Sequence, residues 1–550
     1  MDKKRQAFDE KRPTPEFTHP FFQTPALPII GSILSGMLLA LGFPGYGNST
    51  IVFAALVPLM FAVQSASVKK AAWLGLLSGF VFFMMSMSWL HNLTGMVEGP
   101  ALKASALLGY VVLSLYCALY FVPFAITVAL GTREWAGNNL RKNIRFMFAL
   151  TMVWVGSEYL RGILFTGFPW NPLGVSQYAN PSIIQIAEWG GVHMISAYIV
   201  WMNAGLFITF RQYTHGTRAR KYRPHYELMF GIVPVALSVA HGINILFNQP
   251  QFYEGVNVAL IQPNIPQSEK WDAEKDEAVR ERLEELTGTV ARLVGLDLII
   301  WPETAVPDFV RTSRESYDLV KRMAAEGTPI LVGSMDVRFV DTGRVYHNSS
   351  ILFDTNGVEV AVYNKQHLVP FGEYVPFPKV MSKFTPVEID FRSGTESTLL
   401  RLKGVASFST LICFEDIVAP LSVNAVRAGA RWLVNQSNDA WFDPSAQSEQ
   451  HLAHAVFRCV ENRVPMARCC NTGVTCIIDA YGNVKRNLDV RTKGFTTAVI
   501  SPRPVGLEKT FYTRHGNAFA KVSLLAGATV LFVLRSNTRK QRKKDASNSE

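Results

Sequence analysis

Three stretches end apolar runs in residues that an apolar core does not need: Glu303 after IIW-Pro, Lys365 after VAVYN, and Cys413, with Glu415 and Asp416, after STLI. Alone, each is a weak signal, because a cysteine in a strand is usually a small buried hydrophobe and a strand-end Glu or Lys is usually surface. Together, a carboxylate, an ammonium and a thiol address one chemical problem. A thiol of pKa about 8.5 is mostly protonated at neutral pH, so a nucleophilic cysteine needs a base to take its proton and a cation to favour the thiolate. Glu303 is the candidate base, and later the acid that protonates the leaving group. Lys365 is the candidate cation, first for the thiolate and then for the oxyanion of a tetrahedral intermediate. Cys413 would carry the acyl group as a thioester.

The elements that must position these residues lie between 250 and 500, where short apolar runs alternate with helical or turn-rich stretches, as in an α/β or α+β domain. Strands are expected at 256–264, 296–303, 329–335, 349–354, 358–365, 408–416, 431–439 and 474–482, and an amphipathic helix at 271–294. In open α/β sheets catalytic groups collect just past the carboxyl ends of strands, where Glu303, Lys365 and Cys413 all fall.

The rest of the 550-residue chain is of another kind, and the 49% hydrophobic and 18% charged composition leans away from a soluble protein. Apolar runs long enough for a membrane helix recur near 26–44, 50–66, 71–91, 103–131, 146–163, 183–210, 227–247 and 517–535, about eight spans. The net charge of +11 is distributed by loop rather than in a nucleic-acid-binding patch. Basic clusters at Lys3–Arg12, Lys69–Lys70, Arg133–Arg145, Arg211–Arg223 and Arg535–Lys544 share one side if spans alternate, while 44–49, 92–102 and 164–182 carry no Lys or Arg. The positive-inside rule then puts both termini in the cytoplasm. The expected organisation is a cytoplasmic segment 1–25, a seven-helix transmembrane domain 26–247, an extracytoplasmic domain 248–516, a last span 517–535 and a basic cytoplasmic tail 536–550. No cleavable signal peptide is expected, so the first span would act as an anchor.

The six cysteines have no CxxC spacing, which indicates neither a zinc site nor a disulfide scaffold. His451 and His454 are spaced like metal ligands, but the glutamate of an HExxH motif is missing, and both read as structural. Glu158 and Arg161, one turn apart near a span end, read as a paired scaffold element, ahead of a second reading in which they shape a lipid entry. A transporter would place ionisable residues in several spans, and few are present beyond these two and Glu188.

WPETAVP (301–307), NKQHLVPFGEYVPF (364–377), ICFED (412–416) and NQSNDAWF (435–442) resemble the carbon-nitrogen hydrolase, or nitrilase, superfamily. That resemblance implies an αββα sandwich and carries a Glu-Lys-Cys triad onto Glu303, Lys365 and Cys413. With SEYLRG (157–162), GFPWNPLG (167–174) and IPQSEKW (265–271), the multi-span half resembles the apolipoprotein N-acyltransferase family. Membership would imply an acyl chain taken from a phospholipid, typically phosphatidylethanolamine, and passed to the α-amino group of a diacylglyceryl-modified N-terminal cysteine of an apolipoprotein. It would also imply a monomer in the bacterial inner membrane with a periplasmic catalytic domain, using no metal, cofactor or nucleic acid. By the same resemblance Glu373 and Glu415 support the triad, and Trp271, Phe377, Phe414 and Trp441 surround the substrate cleft. Two positions depart from the family pattern: Phe414, where many relatives have Tyr, and Asp443, where Gly is usual. A tethered hydrolase would use the same triad and release its acyl group to water, but one helix suffices for tethering, so eight spans favour lipid substrates.

Overall fold

Val256–Gln262 is almost wholly apolar and buried, the pattern of a strand covered on both faces. It is β1 of a sheet that continues through β2 (Leu298–Ile300), β3 (Ile330–Val340), β4 (Gly343–Phe353) and β5 (Glu359–Asn364), with β12 (Gly494–Ile500) on the other edge, in the order β12-β1-β2-β3-β4-β5. A second sheet is built from β6 (Leu400–Leu402), β7 (Val405–Ile412), β8 (Trp432–Ser437), β9 (Met466–Cys470), β10 (Cys476–Ile478) and β11 (Val484–Arg486), ordered β11-β10-β9-β8-β7-β6. The computed structural model describes residues 25–547 apart from 138, 216–223, 251–253, 294, 342, 377 and 382–389.

The sheets pack face to face through Val258, Leu260, Ile300 and Leu331 on one and Phe408, Trp432 and Val434 on the other. Asp276–Ala291 and Arg314–Ala324 cover the outer face of the first sheet. Ala419–Ala428 and Gln447–Asn462 cover the second, and their apolar residues belong to the same core as the N-terminal helices. The result is a helix-sheet-sheet-helix sandwich whose second helix layer is shared with the apolar helices.

Strands β6, β9, β11 and β12 were not expected from the sequence. MARCC hides its strand behind the charge of Arg468, which is fully buried, and β12 spends two threonines on a strand paired with β1 over its whole length. Three expected strands end three or four residues early, 474–482 at Ile478 among them. The run 296–303 is a strand only over Leu298–Ile300, and 408–416 stops at Ile412, where Cys413–Ile417 turns into a short 3-10 helix. The helix expected at 271–294 starts at Asp276.

Among the described residues five helices are long and apolar enough to cross a membrane: Val68–Ser86, Pro100–Glu134, Val192–Thr214, Tyr226–Phe247 and Ala518–Gln541. The runs expected at 26–44 and 50–66 form shorter apolar helices, Leu27–Leu41 and Ser49–Val63. The run expected at 146–163 is the helix Leu140–Arg161, of 22 residues, which carries Arg141, Lys142 and Arg145 at one end and Glu158 and Arg161 at the other. The run 183–210 is not one helix: short turns at Pro181–Ile184 and Ala187–Gly190 end at Gly191, and the long helix starts at Val192. Of the basic clusters, Lys3–Arg12 and most of Arg211–Arg223 lie outside the described residues.

The helix Ala518–Ser547 returns from the sandwich to lie against Leu140–Arg161. A Cβ on Gly156 would sit 2.7 Å from the Leu524 Cα, and one on Gly527 would sit 3.0 Å from the Met152 carbonyl oxygen. Small residues at both contacts let the two backbones approach.

A polar latch joins the two halves. The Gln450 side-chain oxygen accepts from Trp89 Nε1 (3.2 Å), Trp170 Nε1 (2.9 Å) and Asn171 Nδ2 (3.1 Å), and its amide donates to the Ser86 carbonyl (2.9 Å). Gln450 is fully buried, so Gln450→Leu strands three donors, each costing about 1–3 kcal/mol. Thermal unfolding in detergent is expected to fall by roughly 5 °C or more, while a change at exposed Lys403 leaves the midpoint in place.

Candidate active site

β2, β3 and β5 run in one direction, because β2 and β3 are parallel and β4 is antiparallel to both its neighbours. The exits of β2 and β5 therefore lie at one end of their sheet, and the exits of β7 and β8 meet them across the sandwich. The Asn438 amide, just past β8, donates to Glu303 Oε2 at 3.0 Å. The open-sheet rule anticipated strand exits; the site draws on both sheets.

Glu303 follows β2 on a backbone that passes over Gly333, where a Cβ would lie 2.2 Å from the Pro302 carbonyl oxygen. Only glycine permits that approach. The next residue, Thr304, has φ +42°, an uncommon conformation for a side-chain-bearing residue. Glu303 is buried, and its Oε1 accepts from Asn348 Nδ2 (2.8 Å) and Lys365 Nζ (3.4 Å). Lys365, 1% exposed, also donates to Glu373 Oε1 at 2.8 Å. Glu373 is fixed in turn by Asn348 Nδ2 (2.9 Å) and the Val369 amide (2.9 Å).

Cys413 sits at the first residue after β7 with φ +50°, strained backbone that lifts the side chain out of the strand. Its carbonyl is held by Asn435 Nδ2 and His451 Nε2, both at 3.2 Å. Cys413 is partly exposed, and the other five cysteines are buried.

Burial, and then the charge of Glu303, pushes the Cys413 thiol well above the usual cysteine range, with Lys365 opposing. Burial alone would depress Lys365, but Glu373 and Glu303 outweigh it and hold the ammonium above the ordinary lysine range. The resting centre is thus a thiol beside a permanent cation and a carboxylate. It can form a thiolate by passing a proton to Glu303 without changing its net charge.

Glu415 is fully buried rather than a surface partner. It accepts from the Ile412 amide (2.7 Å), the Gln366 and His367 amides (2.6 and 3.0 Å) and the Tyr363 hydroxyl (2.9 Å). Burial pushes its carboxyl up to about 7. It ties the segment after Lys365 to the end of β7. Phe414 stacks on Trp170 (6.1 Å between ring centres), Phe168 (6.2 Å) and His367 (5.9 Å). The ring therefore joins the nucleophile's turn to the GFPWNPLG loop.

That loop is held by Glu158 and Arg161, which do not pair with each other. Glu158 Oε1 accepts from Trp154 Nε1 and the Leu173 amide, both at 2.7 Å, while Arg161 Nη1 donates to the Phe168 and Trp170 carbonyls (2.8 and 2.6 Å). Each is spent on fixing the loop, which corrects the expected pair. Trp271 and Trp441 are 44% and 41% exposed, as rim residues would be. Phe377 lies outside the described residues. The Asp443 carboxylate accepts from the Thr472 hydroxyl, which gives this departure a partner.

Sequence reasoning gave no role to Lys270, Asn348, Asn435 or Asn438. Asn435 lies within β8 and Asn438 follows it directly, and Lys270 stands in IPQSEKW beside Trp271. His451 bridges Asp416 Oδ1 (2.9 Å) and Asp439 Oδ1 (3.0 Å), and His454 Nε2 accepts from the Asn171 amide (3.3 Å).

Residues 35–205 match the family model for the apolipoprotein N-acyltransferase N-terminal domain, and residues 257–506 match that for carbon-nitrogen hydrolase. A Geobacter metallireducens protein named apolipoprotein N-acyltransferase is 35% identical over 511 residues, covering 92% of this chain and 94% of the relative. Relatives of the same name from Methylococcus capsulatus and Allorhizobium ampelinum are 32% and 30% identical, covering 82% and 91% of this chain and 86% and 94% of their own lengths. With both halves matched in order and nearly the full length aligned, the chain belongs to the apolipoprotein N-acyltransferase family.

Proposed function

We propose that the chain transfers a fatty acyl group from a phospholipid, typically phosphatidylethanolamine, to the α-amino group of a diacylglyceryl-cysteine at the N-terminus of an apolipoprotein. Glu303 takes the proton of Cys413, and the thiolate attacks the ester carbonyl. The carbon-oxygen bond to glycerol breaks, and the departing oxygen takes the proton back from Glu303. The acceptor amine then attacks the thioester and gives a proton to Glu303; the carbon-sulfur bond breaks and the thiolate is reprotonated. Lys365 neutralises the oxyanion in both halves of this ping-pong cycle. Glu373 and Glu415 hold the centre, while Trp271, Phe414 and Trp441 border the cleft.

The observation that carries the reading is the 3.4 Å contact between Glu303 and Lys365, whose charges both act on the Cys413 thiol. A lipid donor is supported by the apolar helices sharing a core with the sandwich. In the same reading the chain acts as a monomer in a bacterial inner membrane and crosses it about eight times. Residues 26–247 and 517–535 span the bilayer, 1–25 and 536–550 are cytoplasmic, and 248–516 is the periplasmic catalytic domain.

The deciding experiment supplies phospholipid vesicles and a diacylated lipopeptide to the full-length protein and follows the acyl group by mass. It is expected as an amide on the lipopeptide amine. Recovery only as free fatty acid would make the chain a hydrolase and end the proposal.

A further inference from the structure

Lys270 ends the short helix Gln267–Lys270, directly before exposed Trp271, yet its own side chain turns inward and is 1% exposed. Its Nζ donates to the Glu303 carbonyl oxygen at 3.1 Å and lies 5.8 Å from the centre of the Trp271 ring. Among the described residues neither partner is a carboxylate. An ammonium has three donors, and burying one against a neutral carbonyl is costly unless nearby negative charge compensates.

The charges that face it supply that compensation. Glu303 from the β2 exit and Cys413 from the end of β7 act on it directly, while Lys365 from the β5 exit, Glu373 from the turn after it and Asp439 past β8 act on the same thiol. Glu269, half-buried, and Asp272, exposed, flank it on its own segment. Two carboxylates against Lys365 alone leave the centre with an excess negative charge, which opposes a thiolate. A second ammonium restores balance.

We propose that Lys270 is a positioning residue of this centre: as the second cation beside Glu303 it offsets the paired carboxylates and so favours the Cys413 thiolate, an inference that rests on the acyl-transfer reading above. Burial pulls its ammonium down to about 8, against the charges of Glu303 and Cys413. Its charge is therefore present at neutral pH and lost as the pH rises through that value.

The test labels the full-length protein in detergent with iodoacetamide between pH 5.5 and 9.5 and reads the adduct by intact mass. Cys413→Ala serves as the blank, since the other five thiols are buried. Lys270→Met is expected to slow labelling at neutral pH about tenfold and to move the rise in rate upward by about one pH unit. Lys270→Arg, which keeps the charge, stays close to wild type at neutral pH and below and departs from it only above about pH 8. A Met profile that superimposes on wild type, or an Arg variant as slow as Met, overturns the proposal.

Should the Met variant not fold, the wild-type and Arg profiles decide. The wild-type rate is expected to bend downward from a simple thiol titration near pH 8, with that bend absent in the Arg variant; coincident curves overturn the proposal. Iodoacetamide carries no acyl group, so a missing phospholipid adduct with an intact labelling shift would refute the substrate reading while leaving the role of Lys270 standing.

Discussion

Cys413→Ala protein incubated with phospholipid vesicles is expected to gain no fatty-acyl mass, whereas the wild type gains one that hydroxylamine removes. No other thiol can substitute. Cys469 donates to the Ile261 and Ile300 carbonyls between the sheets, and burial pushes Cys476 up to about 12. Glu303→Gln is expected to slow acylation about 10³-fold, by removing the base and by a geometric conflict. Both Glu303 oxygens only accept, from Asn348, Lys365 and the Asn438 amide, so a glutamine turns a donor against a donor. Lys365→Met leaves Glu303 and Glu373 buried without their shared cation and is expected to lose stability together with rate. An adduct that forms equally well without Cys413 refutes the nucleophile assignment.

The three polar residues at strand exits were legible because a carboxylate, an ammonium and a thiol are conspicuous after apolar runs. Their support was not. Asn348 lies inside β4 and joins Glu303 to Glu373 through one amide, a role that no local pattern announces, since an asparagine in a strand looks like a defect. Lys270 looks like one more charge in a polar run, and only the turn at Gln267–Lys270 buries it. The apolar helices were read from composition, but their lengths were set by neighbours. Leu140–Arg161 spends Glu158 and Arg161 on a loop that the sequence gives no reason to place beside Phe414. Strand β9 was missed for a related reason: its arginine is ionised, buried and matched by two aspartates from other elements, so hydropathy misread a core strand as polar.

That arginine carries the second large expected effect. Arg468 is fully buried and donates to Asp416 Oδ2 at 2.6 Å and Asp439 Oδ2 at 3.4 Å, while His451 bridges the same two aspartates. Removing one partner of such a network strands buried charge, so Arg468→Met is expected to cost about 3–5 kcal/mol of unfolding stability. It also frees Asn435, whose side-chain oxygen accepts from Arg468 at 2.8 Å and whose amide holds the Cys413 carbonyl; iodoacetamide labelling should then change along with stability. The pH response has a definite sign. Burial would lower His451, but Asp416 and Asp439 raise it to about 9 from an ordinary value of 6.5. Its contribution is therefore complete below pH 6.5 and is lost as the pH rises to about 9. Burial would raise Asp439, but His451 and Arg468 hold it well below the usual carboxylate range, so its share is lost only in acid. Between pH 6.5 and 9 the wild-type unfolding midpoint should fall more steeply than that of His451→Gln, by the equivalent of a few kcal/mol (~3) at the alkaline end. Other groups titrate in both proteins and cancel in the difference, so parallel curves would mean that His451 enters the folded state neutral and that the charge balance beneath the nucleophile is not as described.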